Sequence, residues 1–178
     1  MFEHFYSRNI HFDTLNVLKS WINKPNLSFL EIGSAEGSSA IGIIETVLTD
    51  TSSKVTCVDT WDPVPMNGFF PDDFETNFNN NTQQYANQII KVKSNSVTWL
   101  TANQDKRFDF IYIDGDHSYE GCKSDIELSW NLLKPGCWMA IDDYGFDGVG
   151  TAVDEFVNSY NNDLVKLRTE VQVWLQKI

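Results

Sequence analysis

Residues 113–120, IDGDHSYE, put two carboxylates and a histidine, Asp114, Asp116 and His117, within four positions directly after the apolar run FDFIYI. The pattern has two readings, a catalytic centre or the polar turn that a buried strand needs at its exit. A neutral imidazole titrates near neutrality and can take a proton from a hydroxyl; the plainer role for His117 is a helix-start ring bonded to solvent. A second acidic pair, Asp142-Asp143, closes the run GCWMAID. By itself it is equally a polar turn leaving a strand, capped by Tyr144-Gly145. Asp116 is better suited to capping the helix that starts near Ser118 than to further chemistry.

A small-residue turn forms a second constellation. In EIGSAEGSS, Glu31 to Ser39, Gly33 and Gly37 let backbone come close to a ligand, and the free N–H groups of a helix start favour electron-rich atoms. The dinucleotide fingerprint G-x-G-x-x-G would need glycine at 35 and 38, where this chain has Ala35 and Ser38, and no G-x-x-x-x-G-K-[ST] loop occurs. Asp59 ends the next apolar run, where a carboxylate can accept both hydroxyl hydrogens of a ribose.

These residues need a frame. Short runs rich in Val, Ile and aromatics, SFLEI (28–32), KVTCVD (54–59), QIIKVK (88–93), FDFIYID (108–114) and GCWMAID (136–142), alternate with helical periods over 37–48, 74–86, 96–102, 118–133 and 148–160. Lys134-Pro135-Gly136 supplies a stop for the fourth helix. The tail LVKLRTEVQVWLQKI reads as an antiparallel hairpin, and a helix over 12–22 leads in. The expected fold is α/β: a doubly wound, Rossmann-like, mostly parallel sheet with a C-terminal antiparallel hairpin. Ligands bind beyond the C-terminal strand ends of such sheets, where the acids and glycines fall. The segment 61–81, with three prolines, Phe69-Phe70 and an Asn run, is too long for a simple connection and reads as an ordered cover over the site.

The chain of 178 residues is one domain's length, with 1–26 as a helical lead-in and no repeat. Its net charge of -12, from 13 basic against 25 acidic residues, argues against a nucleic-acid surface. No apolar run is long enough to cross a bilayer and the polar start lacks a signal peptide's apolar core, so a cytoplasmic protein without a membrane partner is expected. Cys57, Cys122 and Cys137 lie in apolar or helical patterns and read as buried free thiols.

Together, E-x-G-x-x-x-G-S after strand one, an acid ending strand two, SNS after strand three and an acid ending strand four resemble the class I S-adenosylmethionine-dependent methyltransferases. The resemblance implies that Glu31, Gly33, Ser34, Ala35 and Gly37, with Ser38 beside them, line the methionine end. It implies further that Asp59 holds the ribose and that Thr60, Ser94, Asn95 and Ser96 flank the adenine; Ser94 to Ser96 can also serve as a plain helix N-cap. The stretch IDGDHSYEGCKSDIELSWNLLKPGCWMAIDDYG is similar to the metal-dependent O-methyltransferase branch of family 24 type, whose members methylate sugar and macrolide hydroxyls, and to the catechol-type enzymes in plan. That likeness implies a divalent cation, Mg²⁺ first, on Asp114, Asp142 and Asp143, and His117 as general base.

The chemistry has use for such a group. An aliphatic hydroxyl is neither acidic nor well positioned, and a hard cation held by carboxylates can lower its pKa and orient it. The expected partner is therefore a small hydroxylated acceptor, a sugar or a phenol. PGC stands where relatives have PGG, and only about 26 residues precede strand one, so the acceptor site is expected from 61–81, with Trp61, Phe69 and Phe70 shielding it, from 144–150, or from a partner in a homo-oligomer. Three other readings compete: a metal-independent methyltransferase of this fold, a non-catalytic S-adenosylmethionine-binding module, and a metal-dependent hydrolase.

Overall fold

A computed structural model describes residues 17–62, 74–160, 164–169 and 171–178. Seven strands form one sheet: β1 (Ser28–Ile32), β2 (Lys54–Asp59), β3 (Ile89–Lys93), β4 (Phe108–Ile113), β5 (Leu133–Ile141), β6 (Leu164–Arg168) and β7 (Val173–Lys177). Their order is β3-β2-β1-β4-β5-β7-β6. β1 to β5 are parallel, and β7 is antiparallel to both β5 and β6. Strand order therefore reverses between β1 and β4, and both of the constellations singled out above flank that point.

Burial on both faces explains why the central strands are almost continuously apolar. On one face the rings of Phe29 on β1, Phe110 on β4 and Trp174 on β7 pack in a row, the first pair tilted with centroids 5.1 Å apart and the second stacked at 5.3 Å. α1 (Ser38–Thr46) covers them with Ala40, Ile43 and Ile44, and α2 (Phe74–Thr82) adds Phe78. On the other face Ile32, Ile111, Ile113, Met139 and Ile141 pack against α3 (Ser96–Ala102), α4 (Tyr119–Leu132) and α5 (Asp147–Ser159). Each of these fully buried side chains contributes about 2 kcal/mol of transfer free energy. Trp130, Leu132 and Leu133, whose apolar side chains fit a buried helix face, are all buried, but only Trp130 and Leu132 are helical, and Leu133 opens β5. No helix among the described residues is long and apolar enough to cross a membrane.

Three local stretches bear on the expectations from the sequence. Lys134-Pro135-Gly136 does not separate helix from strand: β5 starts at Leu133, and the pairing with β4 jumps from Phe108↔Leu133 to Phe110↔Trp138. Proline is tolerated at such an irregularity because no ladder bond is asked of it there. In the segment 61–81, residues 63–73, including Phe69 and Phe70, lie outside the described residues, and from Phe74 the helix expected over 74–86 is present as α2 followed by a 3₁₀ turn, Gln83–Tyr85, so the cover can extend no further than residue 73. Of the leading helix, residues 12–16 lie outside, 17–18 are helical, and Lys19–Trp21 is a 3₁₀ turn.

Register positions the site. Ile32, Ile113 and Ile141 pair in one row, so the next residue on each strand, Gly33, Asp114 and Asp142, leaves the sheet at one level. The backbone N–H of Asp114 donates to Ile32 and that of Asp142 to Ile113, both at 2.9 Å. Gly33 has φ +83°, and a Cβ on it would stand 2.0 Å from the Asp114 carbonyl oxygen and 2.7 Å from Gly115 Cα. Rigid backbone cannot yield to that contact. Gly33→Ala is expected to cost more than about 2 kcal/mol, read as a fall in the urea midpoint; an unchanged midpoint would refute this close approach.

Candidate active site

β1 delivers Glu31 to the α1 side of the sheet, in register with Cys57 of β2 and Tyr112 of β4. Its carboxylate is fully buried and accepts from the Ser34 hydroxyl at 2.6 Å and from the Ser39 hydroxyl. Burial raises its pKa to about 7, against the lowering effect of those hydroxyls. The same burial, with Glu31 beside it, raises the Cys57 thiol well above its usual range, so this free cysteine is an inert thiol.

Asp59, at the end of β2, holds the turn that follows Glu31. One oxygen accepts from the backbone N–H groups of Ser34 and Ala35 at 2.8 and 2.9 Å, and the other from Trp61 N–H at 2.7 Å. A carboxylate has about four acceptor sites, so capacity is left for ribose hydroxyls. The Ser94 N–H donates to the Asp59 carbonyl at 2.9 Å, which brings the SNS stretch beside Asp59. Asn95 caps α3 by accepting from Thr98 N–H at 3.1 Å, and Thr60 accepts from Asp62 N–H at 3.2 Å. Gly33, Ser34, Ala35, Gly37, Ser38, Asp59, Thr60 and Ser94 to Ser96 thus lie along neighbouring strand ends.

Trp61 departs from its expected place. It is 7% exposed, packs on Phe78 at 4.8 Å, carries Lys91 over its ring at 4.7 Å and donates its indole N–H to the Ala35 carbonyl at 2.8 Å. A ring so enclosed clamps the glycine turn and offers no face to an acceptor. α2 grips the same turn: Asn77 donates to the Glu36 carboxylate at 2.9 Å and Asn81 to its carbonyl at 3.1 Å. Sequence reading missed Glu36 and Asn77, although an acid inside a glycine turn was a signal.

At the β4 and β5 ends, Asp114, His117 and Asp143 bring ligand atoms within 4.8 Å of one another. His117 Nε2 lies 3.4 Å from Asp114 Oδ1 and 3.3 Å from Asp143 Oδ2. Asp143 reaches it from a left-handed backbone, φ 54°, a conformation Asp tolerates better than most residues. Burial raises Asp114 to about 6; His117 opposes the rise, and Asp142 and Asp143 add to it. The contact with Asp114 in turn raises His117 above its ordinary value.

Asp142 faces another way. One oxygen accepts from Asp143 N–H at 2.9 Å and the other from the Tyr112 hydroxyl, which receives Gln172 Nε2 at 3.4 Å. The β7 residue Trp174 donates to Gln172 at 3.2 Å, so a polar chain from the hairpin orients Asp142. Asp116 is not the helix cap: Ser118 is, accepting from Gly121 N–H at 3.1 Å, while Asp116 accepts from Ser118 N–H at 2.8 Å one step earlier. Phe146, within the 144–150 segment but not singled out from sequence, stacks on His117 with centroids 5.3 Å apart and an interplanar angle of 16°.

The Asp114 and Asp143 carboxylates, both partly exposed, offer oxygen donors that suit a hard divalent cation with positions left to solvent and substrate, and the His117 imidazole between them is a softer donor that can instead take a proton. The arrangement can hold such an ion, or a proton, next to the glycine turn.

The methyltransferase-domain family matches residues 30–144. An uncharacterized protein of Acanthamoeba polyphaga mimivirus is 24% identical over 143 residues, 76% of this chain and 60% of its own length. Among solved structures, the MycE methyltransferase of the mycinamycin biosynthetic pathway, in complex with Mg, SAH and mycinamycin VI, has a TM-score of 0.69 at 13% identity over 93% of this chain and 48% of its own. An O-methyltransferase from Bacillus cereus in complex with SAH has a TM-score of 0.70 at 16% identity over 98% and 84%. The chain therefore spans less than two thirds of the mimivirus protein and about half of MycE, and these structural likenesses speak for the fold. Because the matched residues take in the glycine turn, Asp59 and both acid turns, the chain belongs to the methyltransferase-domain family.

Proposed function

We propose that this protein transfers the methyl group of S-adenosylmethionine to a hydroxyl of a small sugar or phenol, assisted by a divalent cation. The observation that carries the reading is the contact of Gly33 with Asp114, which joins the glycine turn to the turn bearing His117. Family membership and the MycE complex with Mg and SAH support it.

Transfer is an in-line displacement: the acceptor oxygen bonds to the methyl carbon as the carbon–sulfur bond breaks, and the hydroxyl proton must leave. His117 Nε2 takes that proton, and in the metal-free protein Asp114 and Asp143 on either side stabilise the imidazolium that results. The same two carboxylates would hold the cation, with Asp142 behind them set by Tyr112. A bound Mg²⁺ would supply charge stabilisation and orientation for the acceptor oxygen. Glu31, buried beneath Ser34 and Ser39, sets the turn that lines the methionine end, Asp59 meets the ribose, and Ser94 to Ser96 with Thr60 the adenine. Reaction without metal is the second reading, favoured by His117 already standing between Asp114 and Asp143.

Chelation separates the two readings. Turnover of labelled methyl onto catechol or methyl glucoside should vanish in chelator and return with Mg²⁺, and full activity in chelator would leave the metal-free route. Asp114→Asn and Asp143→Asn should each weaken Mn²⁺ binding, followed by its electron paramagnetic resonance, at least tenfold; Asp142→Asn should weaken it less.

Glu31 links binding to stability. In the cofactor-free protein its folded pKa of about 7 exceeds the ordinary 4.5. The folded state then holds the extra proton between those values, so stability falls as pH rises from about 4.5 to 7 and levels off above, a loss of about 3 kcal/mol. Glu31→Gln should flatten that fall in thermal melts while weakening SAH in calorimetry. Melting profiles that overlay those of the native protein would remove Glu31 from this role.

A further inference from the structure

Phe146 is 55% exposed, yet its backbone is held on both sides. Its N–H donates to the Asp143 carbonyl at 2.9 Å, and its carbonyl accepts from Gly150 N–H at 2.8 Å. Gly148, two residues on, sits so close to the preceding turn that a Cβ there would lie 2.5 Å from the His117 carbonyl oxygen. The start of α5 is thus locked onto the His117 turn, and the Phe146 ring lies nearly parallel to the imidazole. Of the other exposed large apolar side chains among the described residues, Ile90 on β3 and Val165 and Leu167 on β6 lie on edge strands, Val97 and Tyr160 lie in or at the end of a helix, and Ile22 and Ile178 lie outside the helices and strands. Phe146 instead lies against the acid and histidine cluster.

We propose that Phe146 is a specificity-determining residue that contacts the methyl acceptor and selects a ring-shaped one. The inference rests on the O-methyl transfer reading and deepens it. An aromatic ring fixed beside the base complements a flat apolar surface, whether the C–H face of a pyranose or the π face of a phenol. A ring seated on Phe146 has its edge hydroxyls next to His117 Nε2 and the Asp114 and Asp143 carboxylates. An acyclic alcohol gains little from the contact and keeps its freedom to rotate away.

The test measures binding and turnover side by side. Catechol, methyl glucoside and 1,2-propanediol are titrated calorimetrically into SAH-saturated protein with Mg²⁺, for the native chain and for Phe146→Ala, Phe146→Leu and Phe146→Trp. Phe146→Ala is expected to weaken whichever ring compound binds by about tenfold, the worth of one aromatic contact, with Phe146→Leu intermediate and Phe146→Trp close to native. SAH affinity, measured separately, should be unchanged in all three, and the diol should show no preference among them. Ring binding that is indifferent to Phe146→Ala, a native protein that binds neither ring compound, or an equal loss of SAH affinity would each overturn the proposal. Ring binding that depends on Phe146 without any methyl transfer would instead remove the O-methyl reading and leave the contact standing.

Discussion

The absent side chain at Gly33 is the constraint on which the site depends. β1 and β4 are neighbours at the point where strand order reverses, and beyond their last paired row the two chains must turn away in opposite senses without separating. They manage this because Gly33 accepts a left-handed conformation and leaves the Asp114 carbonyl room to sit where a Cβ would be. The glycine turn and the acid turn consequently form one continuous surface.

A second layer stiffens that surface from beneath. Glu31 and Tyr112 are register partners, and both are buried polar groups in a row otherwise closed by Cys57, Ala140 and Trp174. Neither is idle: Glu31 gathers two serine hydroxyls, and Tyr112 reaches Asp142. Burying ionisable groups is unfavourable unless they are hydrogen-bonded, and here the same bonds that satisfy them set the turns above. The phenol is held far above its usual titration range by burial and by Asp114 and Asp142, so it remains a hydrogen-bond donor to Asp142 at any ordinary pH.

The strands were legible because a parallel strand covered on both faces has no choice but continuous Val, Ile and Phe, and a helix between two such runs must be amphipathic. Asp114, His117 and the Asp142-Asp143 pair were legible as strand-end acids. Their division of labour was not: whether Asp142 or His117 faces Asp114 depends on the left-handed turn at Asp143 and on Tyr112, a contact between residues thirty positions apart. Trp61 read as a shield over the acceptor site because it opens a long aromatic segment, but its indole N–H needed the Ala35 carbonyl, which only the folded turn supplies. Phe146 lies in the 144–150 segment expected to contribute to the acceptor site, but one apolar residue in a polar loop carries no periodicity that would single it out.

The hairpin at the far edge of the sheet has a consequence for how the protein comes into being. β5, which carries Asp142 and Asp143, is bordered by β4 on one side and by β7 on the other, and Gln172 and Trp174 extend the polar chain behind Tyr112. β7 is synthesised after every candidate site residue. A nascent chain therefore exposes its acids and histidine before the strand that fixes their orientation exists, and the order of translation delays a finished site until the outer hairpin closes.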